Sequence, residues 1–265
     1  MGARILQRGA ISAIDYRCDV RPGDKPFPEV HGSMSVTYVR SGSFGYRARG
    51  KAYDLVTGSV LIGNAGDEFV CTHDFMHGDE CLSFHIDNAT AEEIGPAEFW
   101  QSACLPPLAQ TAVFGELAQA AAEPRSHIGL DEAALLFAHR AASLIASKQR
   151  EIRVGERDRR RAIEASAWID ARCDEDVSLA ACSAHSGLSP FHFLRIFTRV
   201  VGVTPHQYLI RSRLRRAASA LAIADRSVTE VALASGFNDL ANFARAFRRA
   251  AAITPTAYRN FCKVR

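Results

Sequence analysis

GFNDLANFARAFRRAAAITPTAYR, residues 236–259, is the second copy of a pattern that the chain has already used once. Shifted by 50 residues, Phe193, Arg195, Phe197, Arg199, Thr204, Pro205 and Tyr208 fall on Phe243, Arg245, Phe247, Arg249, Thr254, Pro255 and Tyr258. Seven identities in a window of 16 residues exceed chance. Two copies at so long a period indicate a duplicated supersecondary unit, because a solenoid needs three or more.

Each copy reads as helix, tight turn, helix. In the first, Leu179 opens a short helix, small Ser183 lets it pack closely against its neighbour, and Gly187 supplies a permissive backbone for the turn. Ser189 is placed to cap the next helix, and Pro190 at its first position has no N–H to leave unsatisfied. Phe193, Ile196, Phe197 and Val200 then recur at helical spacing as one buried stripe, which frees the opposite face. In the second copy Ser227 and Glu230 have the form of a capping box, and Ala232 takes the place of Ser183. Gly236 makes the turn, Asn238 or Asp239 caps, and Phe243, Ala246 and Phe247 form the stripe. Gly187 and Gly236 are 49 apart while the later pairs are 50 apart, so the second copy has one extra residue at its turn.

Charge follows the repeat. The net charge of +3 divides into −5 over residues 1–155 and +8 over residues 156–265. Within residues 177–265 only Asp225, Glu230 and Asp239 oppose 13 Lys and Arg. Such a segment is drawn to a polyanion.

Residues 158–265 resemble the AraC/XylS family of bacterial regulators, most specifically in the GF, F-x-R-x-F and TPxxYR elements of residues 236–259. SLAACSAHSGLSPFHFLRIFTRVVGVTPHQYL from Ser178 resembles the family's other helix-turn-helix, and RSRLRRAASAL the helix joining the two. The resemblance implies an all-α domain with two DNA-reading units. Phe191, Leu194 and Arg195 match the family's base-facing positions in the first unit. Arg195 can donate two hydrogen bonds to guanine and Phe191 can pack on a thymine methyl. Asn242 and Arg245 are the readers of the second, while Arg199, Arg248, Arg249 and Arg211 look like phosphate contacts. The alternatives are solvated surface charge for each arginine, simple packing for Phe191, and plain surface for His192. Leu240, Ala241 and Ala250 depart from the family pattern, which suggests that the second helix reads few base edges. Two helices on a rigid connector would enter successive major grooves about 34 Å apart, giving an asymmetric site per monomer.

From Val30 to about Ile86 the pattern becomes short alternating runs between the turn signals SGS, RGK, TGS and NAG. These imply an antiparallel β-barrel or sandwich, and with the resemblance they look like a cupin-like sensor barrel over residues 1–105. The whole chain is then α+β. Inside EFVCTHDFMHGDECLSFHI, the residues Cys71, His73, His77 and Cys81 make C-x-H-x3-H-x3-C. Two thiolates and two imidazoles suit zinc or another soft divalent ion. A redox role for the cysteines, or an inert hairpin, stays open. Tyr38, Arg40 and Tyr46 are candidates to line a small-molecule pocket. Residues 106–152 read as Ala/Leu-rich helices that either pack on the barrel or form a homodimer interface, and 147–161 as a polar linker.

Composition is that of a globular chain, with 48% hydrophobic and 23% charged residues. Seven scattered cysteines argue for reduced thiols, and no run is apolar enough to span a membrane, so a cytoplasmic location is expected. No GxSxG, P-loop or dinucleotide fingerprint points to an enzyme. The expected function is a transcription regulator, an activator, that binds double-stranded DNA and meets RNA polymerase as the resemblance implies. Its N-terminal half would sense a small-molecule effector, a metal or a redox change. The rival is a cupin-type metalloenzyme with an appended DNA-binding domain, and the close HxH motif with a following Glu that it needs is absent.

Overall fold

A computed structural model describes residues 2–123, 129–145, 154–223 and 225–263. The N-terminal part holds nine strands: β1 (Gly2–Gln7), β2 (Ile11–Cys18), β3 (Pro28–Val30), β4 (Met34–Ala48), β5 (Lys51–Val56), β6 (Val60–Gly63), β7 (Glu68–Thr72), β8 (Asp79–Ile86) and, further on, β9 (Cys104–Leu105). Every pairing is antiparallel. The long strand β4 organises the sheet. Its first half pairs with β6 and β8, a register shift intervenes between Val39 and Ser41, and its second half pairs with β5 and β7. A bulge of this kind bends a strand and lets one sheet curl over its own inner face. That face buries Val39, Phe44, Tyr46, Leu55, Leu61 and Cys81, so the alternation read in the sequence is the inside and outside of a barrel.

Between β8 and the next long helices lie α1 (Asn88–Ile94) and α2 (Ala97–Trp100). The helices α3 (Ala109–Ala122) and α4 (Leu130–Ala142) then cover the outer face of the sheet. Phe137 meets Tyr38 edge-on at 5.7 Å and Phe84 at 6.3 Å. Both helices thus pack within the chain. Residues 124–128 and 146–152 of the connector, and with them the start of the linker 147–161, lie outside the described residues; the basic end of that linker belongs to a helix.

The C-terminal part is all helix: α5 (Glu156–Ala171), α6 (Leu179–His185), α7 (Pro190–Val201), α8 (Pro205–Ile223), α9 (Val228–Ala234), α10 (Leu240–Ala251) and α11 (Pro255–Lys263). It docks on the N-terminal half through two separate apolar cores. One runs without a break from Val36, Tyr38 and Phe84 through Val113 and Leu117 of α3 to Leu214, Leu221, Phe243 and Phe247. The other joins Val56 of β5 to Ile163, Phe193, Phe197 and Tyr208. Each half of the repeat therefore has its own anchorage.

Candidate nucleic-acid interface

Local capping fixes where each helix of the repeat begins. Ser178 Oγ accepts the Ala181 N–H at 3.1 Å to start α6, and Ser189 Oγ accepts the His192 N–H at 3.4 Å to start α7, with Pro190 first. The capping box is complete at α9: Ser227 N–H donates to Glu230 Oε2 at 2.7 Å and Glu230 N–H to Ser227 Oγ at 3.1 Å. Asp239 is the cap of α10, accepting from the N–H groups of Ala241 and Asn242 at 2.9 and 3.1 Å. Gly187 and Gly236 make the turns with φ of 62° and 87°. At Gly236 space matters too, since a β-carbon there would lie 2.6 Å from the Cys173 carbonyl oxygen.

With the starts fixed, the 3.6-residue period decides which side chains face inward. Phe193, Ile196 and Phe197 are buried in α7, while Val200 is half-buried and Val201 completes the stripe. In α10 Phe243, Phe247, Ala250 and Ala251 are buried and Ala246 is half-buried. The opposite faces carry Arg195 and Arg199 on α7, and Asn242, Arg245, Arg248 and Arg249 on α10, all exposed. Leu194 is half-buried beside them. Phe191 sits in the first turn of α7, and its side chain lies outside the described residues.

Among the described residues, none of these five guanidiniums makes an ion pair or a side-chain hydrogen bond. Their neighbours are spent on structure. Arg213 donates to the carbonyls of Cys173 and Glu175 at 2.7 and 2.8 Å, Arg216 pairs with Asp174 at 3.1 Å, and Arg172 lies 5.0 Å over the Trp168 ring. Arg211, expected on phosphate, instead donates to the Pro107 carbonyl at 2.7 Å, and burial pulls its guanidinium down to about 10. It ties α8 to the segment before α3 and is no phosphate contact in this arrangement. His192 approaches Asp158 of α5 at 3.3 Å. Two helix starts with an apolar backing and five unpartnered cations form a surface that can meet phosphates and base edges.

Residues 182–260 match a family profile described as "Helix-turn-helix domain". This segment is a helix-turn-helix domain. Curated relatives match the same region. The chain is 32% identical over 96 residues to the probable transcriptional regulator LumQ of Photobacterium leiognathi, covering 36% of this chain and 39% of LumQ. It is 31% identical over 96 residues to the regulatory protein PocR of Salmonella typhimurium, covering 36% of this chain and 32% of PocR. The match thus spans well under half the length of either relative. Among solved structures, ToxT from Vibrio cholerae aligns over 97% of this chain and all of its own with 10% identity and a TM-score of 0.39.

The helix-turn-helix domain is joined to the barrel by buried polar groups as well as by the two cores. Asp170 of α5 accepts from Arg215 and from Ser212 of α8, and its other oxygen lies 2.9 Å from Tyr208 Oη. Tyr208 Oη and Arg215 Nη1 also reach the Thr57 carbonyl of the β5–β6 turn at 3.2 and 3.3 Å. Arg159 of α5 grips Asp54 of β5 with two hydrogen bonds of 2.9 and 2.5 Å. Beside this network an open cleft of about 1000 Å³ separates the barrel rim from α5 and α8, with Arg40, Glu116, Asp170 and Arg215 in its walls. Burial raises the pKa of Glu116, which accepts a hydrogen bond from Tyr38 Oη at 2.9 Å. Tyr38 and Arg40 thus stand near a cavity, while Tyr46 is buried in the barrel against His31. Sequence reading singled out none of Asp170, Tyr208 or Arg215 for this role. Their one signal is a charged residue, Arg215, placed among the inward positions Leu214, Ala217 and Ala218 of α8.

The cysteine and histidine motif is distributed differently from its linear spacing. Among the described residues, the one group of candidate ligands with donor atoms within 4.8 Å of one another is Cys18, His73 and Asp79. Of Cys71, His73, His77 and Cys81, only His73 belongs to it. His77 Nε2 instead lies 3.1 Å from the Asp19 carbonyl, and Cys81 Sγ donates to Asp79 Oδ1 at 3.1 Å. Cys71 stands on β7 opposite Tyr46 of β4, and burial pushes its thiol far up, reinforced by Glu29, Asp79 and Cys18. All seven cysteines are free thiols. Among the described residues no helix is long and apolar enough to cross a membrane.

Proposed function

We propose that this protein is a sequence-specific, DNA-binding transcription regulator, an activator, whose N-terminal barrel converts a signal into a change in how the two helix-turn-helix units meet DNA. The observation that carries the reading is the contrast among the arginines. Five on the outward faces of α7 and α10 are unpartnered, whereas those of α8 are consumed by carbonyls and carboxylates. A structural domain has no use for five desolvation-free cations in two matched rows; a polyanion does. Arg195 and Arg245, at the same place in both copies, are assigned to base edges together with Leu194, Phe191 and Asn242. Arg199, Arg248 and Arg249 are assigned to phosphates.

Residues 1–105 are taken as the sensor, 106–152 as the connector and 158–265 as the DNA-binding unit. The polar network at Asp170 and the shared core at α3 give the sensor a mechanical hold on both units, and RNA polymerase is the partner that activation requires. Genomic DNA captured by the purified full-length protein and sequenced would yield an asymmetric motif with two half-sites about one helical turn apart. Recovery of no enriched sequence, with no retardation of the captured fragments at low salt, would sink the proposal.

A further inference from the structure

The rim of the barrel that faces α5 and α8 brings three strand ends together. Cys18 closes β2, Asp79 opens β8 directly opposite it in register, and His73 follows the last residue of β7. The backbones are pressed together there: Gly78 has a φ of 63°, and a β-carbon on it would lie 2.2 Å from the Cys18 carbonyl oxygen. A thiol sulfur, one imidazole nitrogen and a carboxylate oxygen fall within 4.8 Å of one another.

His73 supplies a second observation. Its side chain is 3% exposed; Nε2 lies 2.6 Å from Asp79 Oδ2, and Nδ1 is buried without any hydrogen-bond partner. Among the described residues its hydrogen-bonding contact is the Nε2–Oδ2 pair, in which two ligands face one another as they do before an ion replaces the proton between them. Sulfur, nitrogen and oxygen donors together select a borderline-soft divalent ion over calcium or magnesium. Cys18 and Asp79 also line the open cleft, which gives an ion a path in and water a free coordination position.

We infer that Cys18, His73 and Asp79 form a site for a divalent cation of the zinc class, which locks the loop 73–78 against the first helix-turn-helix unit. The loop has the contacts for this. Phe75 and Met76 pack on the core that contains Ile163, Phe193 and Phe197, and the guanidiniums of Arg159 and Arg160 lie 5.5 and 5.6 Å from the Phe75 ring. An ion at the loop's base would thus bear on α5 and α7, and this regulatory sense rests on the DNA-binding reading above.

The test uses the full-length protein, stripped with a chelator and titrated with cobalt(II) under reducing conditions. One equivalent should produce a near-ultraviolet sulfur-to-cobalt charge-transfer band that zinc(II) bleaches. Cys18→Ser should abolish the band, and His73→Gln or Asp79→Asn, each removing one of three ligands, should weaken binding by more than the 10- to 100-fold or so that loss of an outer partner causes; circular dichroism of each variant checks that it folds. Cys71→Ser and Cys81→Ser should leave the band in place. Zinc should slow amide exchange in residues 73–78 of the parent protein and not of Cys18→Ser. No band, a band that survives Cys18→Ser, or loop exchange indifferent to zinc would overturn the inference. A normal band in a protein that retards no DNA would count against the regulator reading alone.

Discussion

Gly202 and Ala252, fifty residues apart in equivalent places of the repeat, hold the same left-handed backbone at the C-caps of α7 and α10, with φ of 80° and 64°. Each N–H bonds back to the carbonyl four residues earlier, Thr198 and Arg248. Glycine adopts this conformation freely and alanine does so against the repulsion of its β-carbon. Ala252 is exposed, so nothing packs on its methyl group. Ala252→Gly should therefore stabilise the protein by about 1 kcal/mol and raise the midpoint of thermal unfolding by roughly 2–4 °C. An unchanged or lower midpoint by calorimetry would mean that the strain is absent.

A further left-handed position, Gly236, is predicted to be intolerant. A β-carbon there would sit 2.6 Å from Cys173 O and 2.8 Å from Asp174 Cα, both backbone atoms that cannot swing aside. With the φ of 87° added, Gly236→Ala should cost about 3 kcal/mol. Urea unfolding followed by fluorescence measures this, and a loss below about 1 kcal/mol would show that the turn relaxes.

The polar joint between the halves should behave as a unit. Asp170→Ala would leave Arg215, a residue only 7% exposed, without its carboxylate, and would also strip Tyr208 and Ser212 of a partner. Removing one member of a buried ion pair costs about 3–5 kcal/mol. Here part of the loss falls on docking, because Arg215 and Tyr208 also hold the Thr57 carbonyl. Faster proteolysis of the chain between barrel and α5 should accompany the loss of stability, and resistance equal to the parent protein would count against a joint at this point.

The architecture was legible wherever it rests on local periodicity. The repeat predicted both pairs of helices, the caps at Ser189 and Ser227, and the turns at Gly187 and Gly236, because capping and left-handed turns are decided within a few residues. The alternating strands after Val30 announced the barrel for the same reason. What could not be read was everything made by residues far apart. Cys18 and Asp79 meet only because β2 and β8 pair, and Arg211 reads as one more surface cation until Pro107 is placed beside it. Local spacing also overstated the Cys71–Cys81 motif. In a strand, side chains alternate, so residues four apart around a loop need not face one point.

Acid should loosen the barrel through His31. Its ring is stacked 4.1 Å from Phe69, its Nε2 lies 2.8 Å from Tyr46 Oη, and burial lowers its pKa from 6.5 to about 4. Below pH 6.5 the unfolded chain takes up a proton that the folded one refuses, so stability falls as pH drops and levels off near pH 4. The full effect is about 3 kcal/mol. Carboxylates contribute to the same acid limb, and His31→Gln separates them: its stability should change less between pH 7 and pH 4.5 than that of the parent protein. Equal slopes would show that His31 is protonated without penalty.

The recognition faces make different predictions for arginines four residues apart. Arg195, one turn into α7 and exposed, is assigned to a base edge, where a bidentate contact to guanine discriminates by about 1–3 kcal/mol. Arg195→Ala should weaken binding to the captured site by that amount and relax preference at one base pair, leaving affinity for unrelated DNA nearly intact. Arg199 lies a turn further along, near the C-terminal end of the helix, where reach to a base edge is shorter and a phosphate is the available partner. Arg199→Ala should lower affinity for all duplexes alike and reduce the slope of log affinity against log salt by about 1. Titrations of both variants on the captured site and on a scrambled duplex at several salt concentrations separate the two roles. If the variants proved interchangeable, or if neither changed affinity, α7 would be lying on the duplex by some other face.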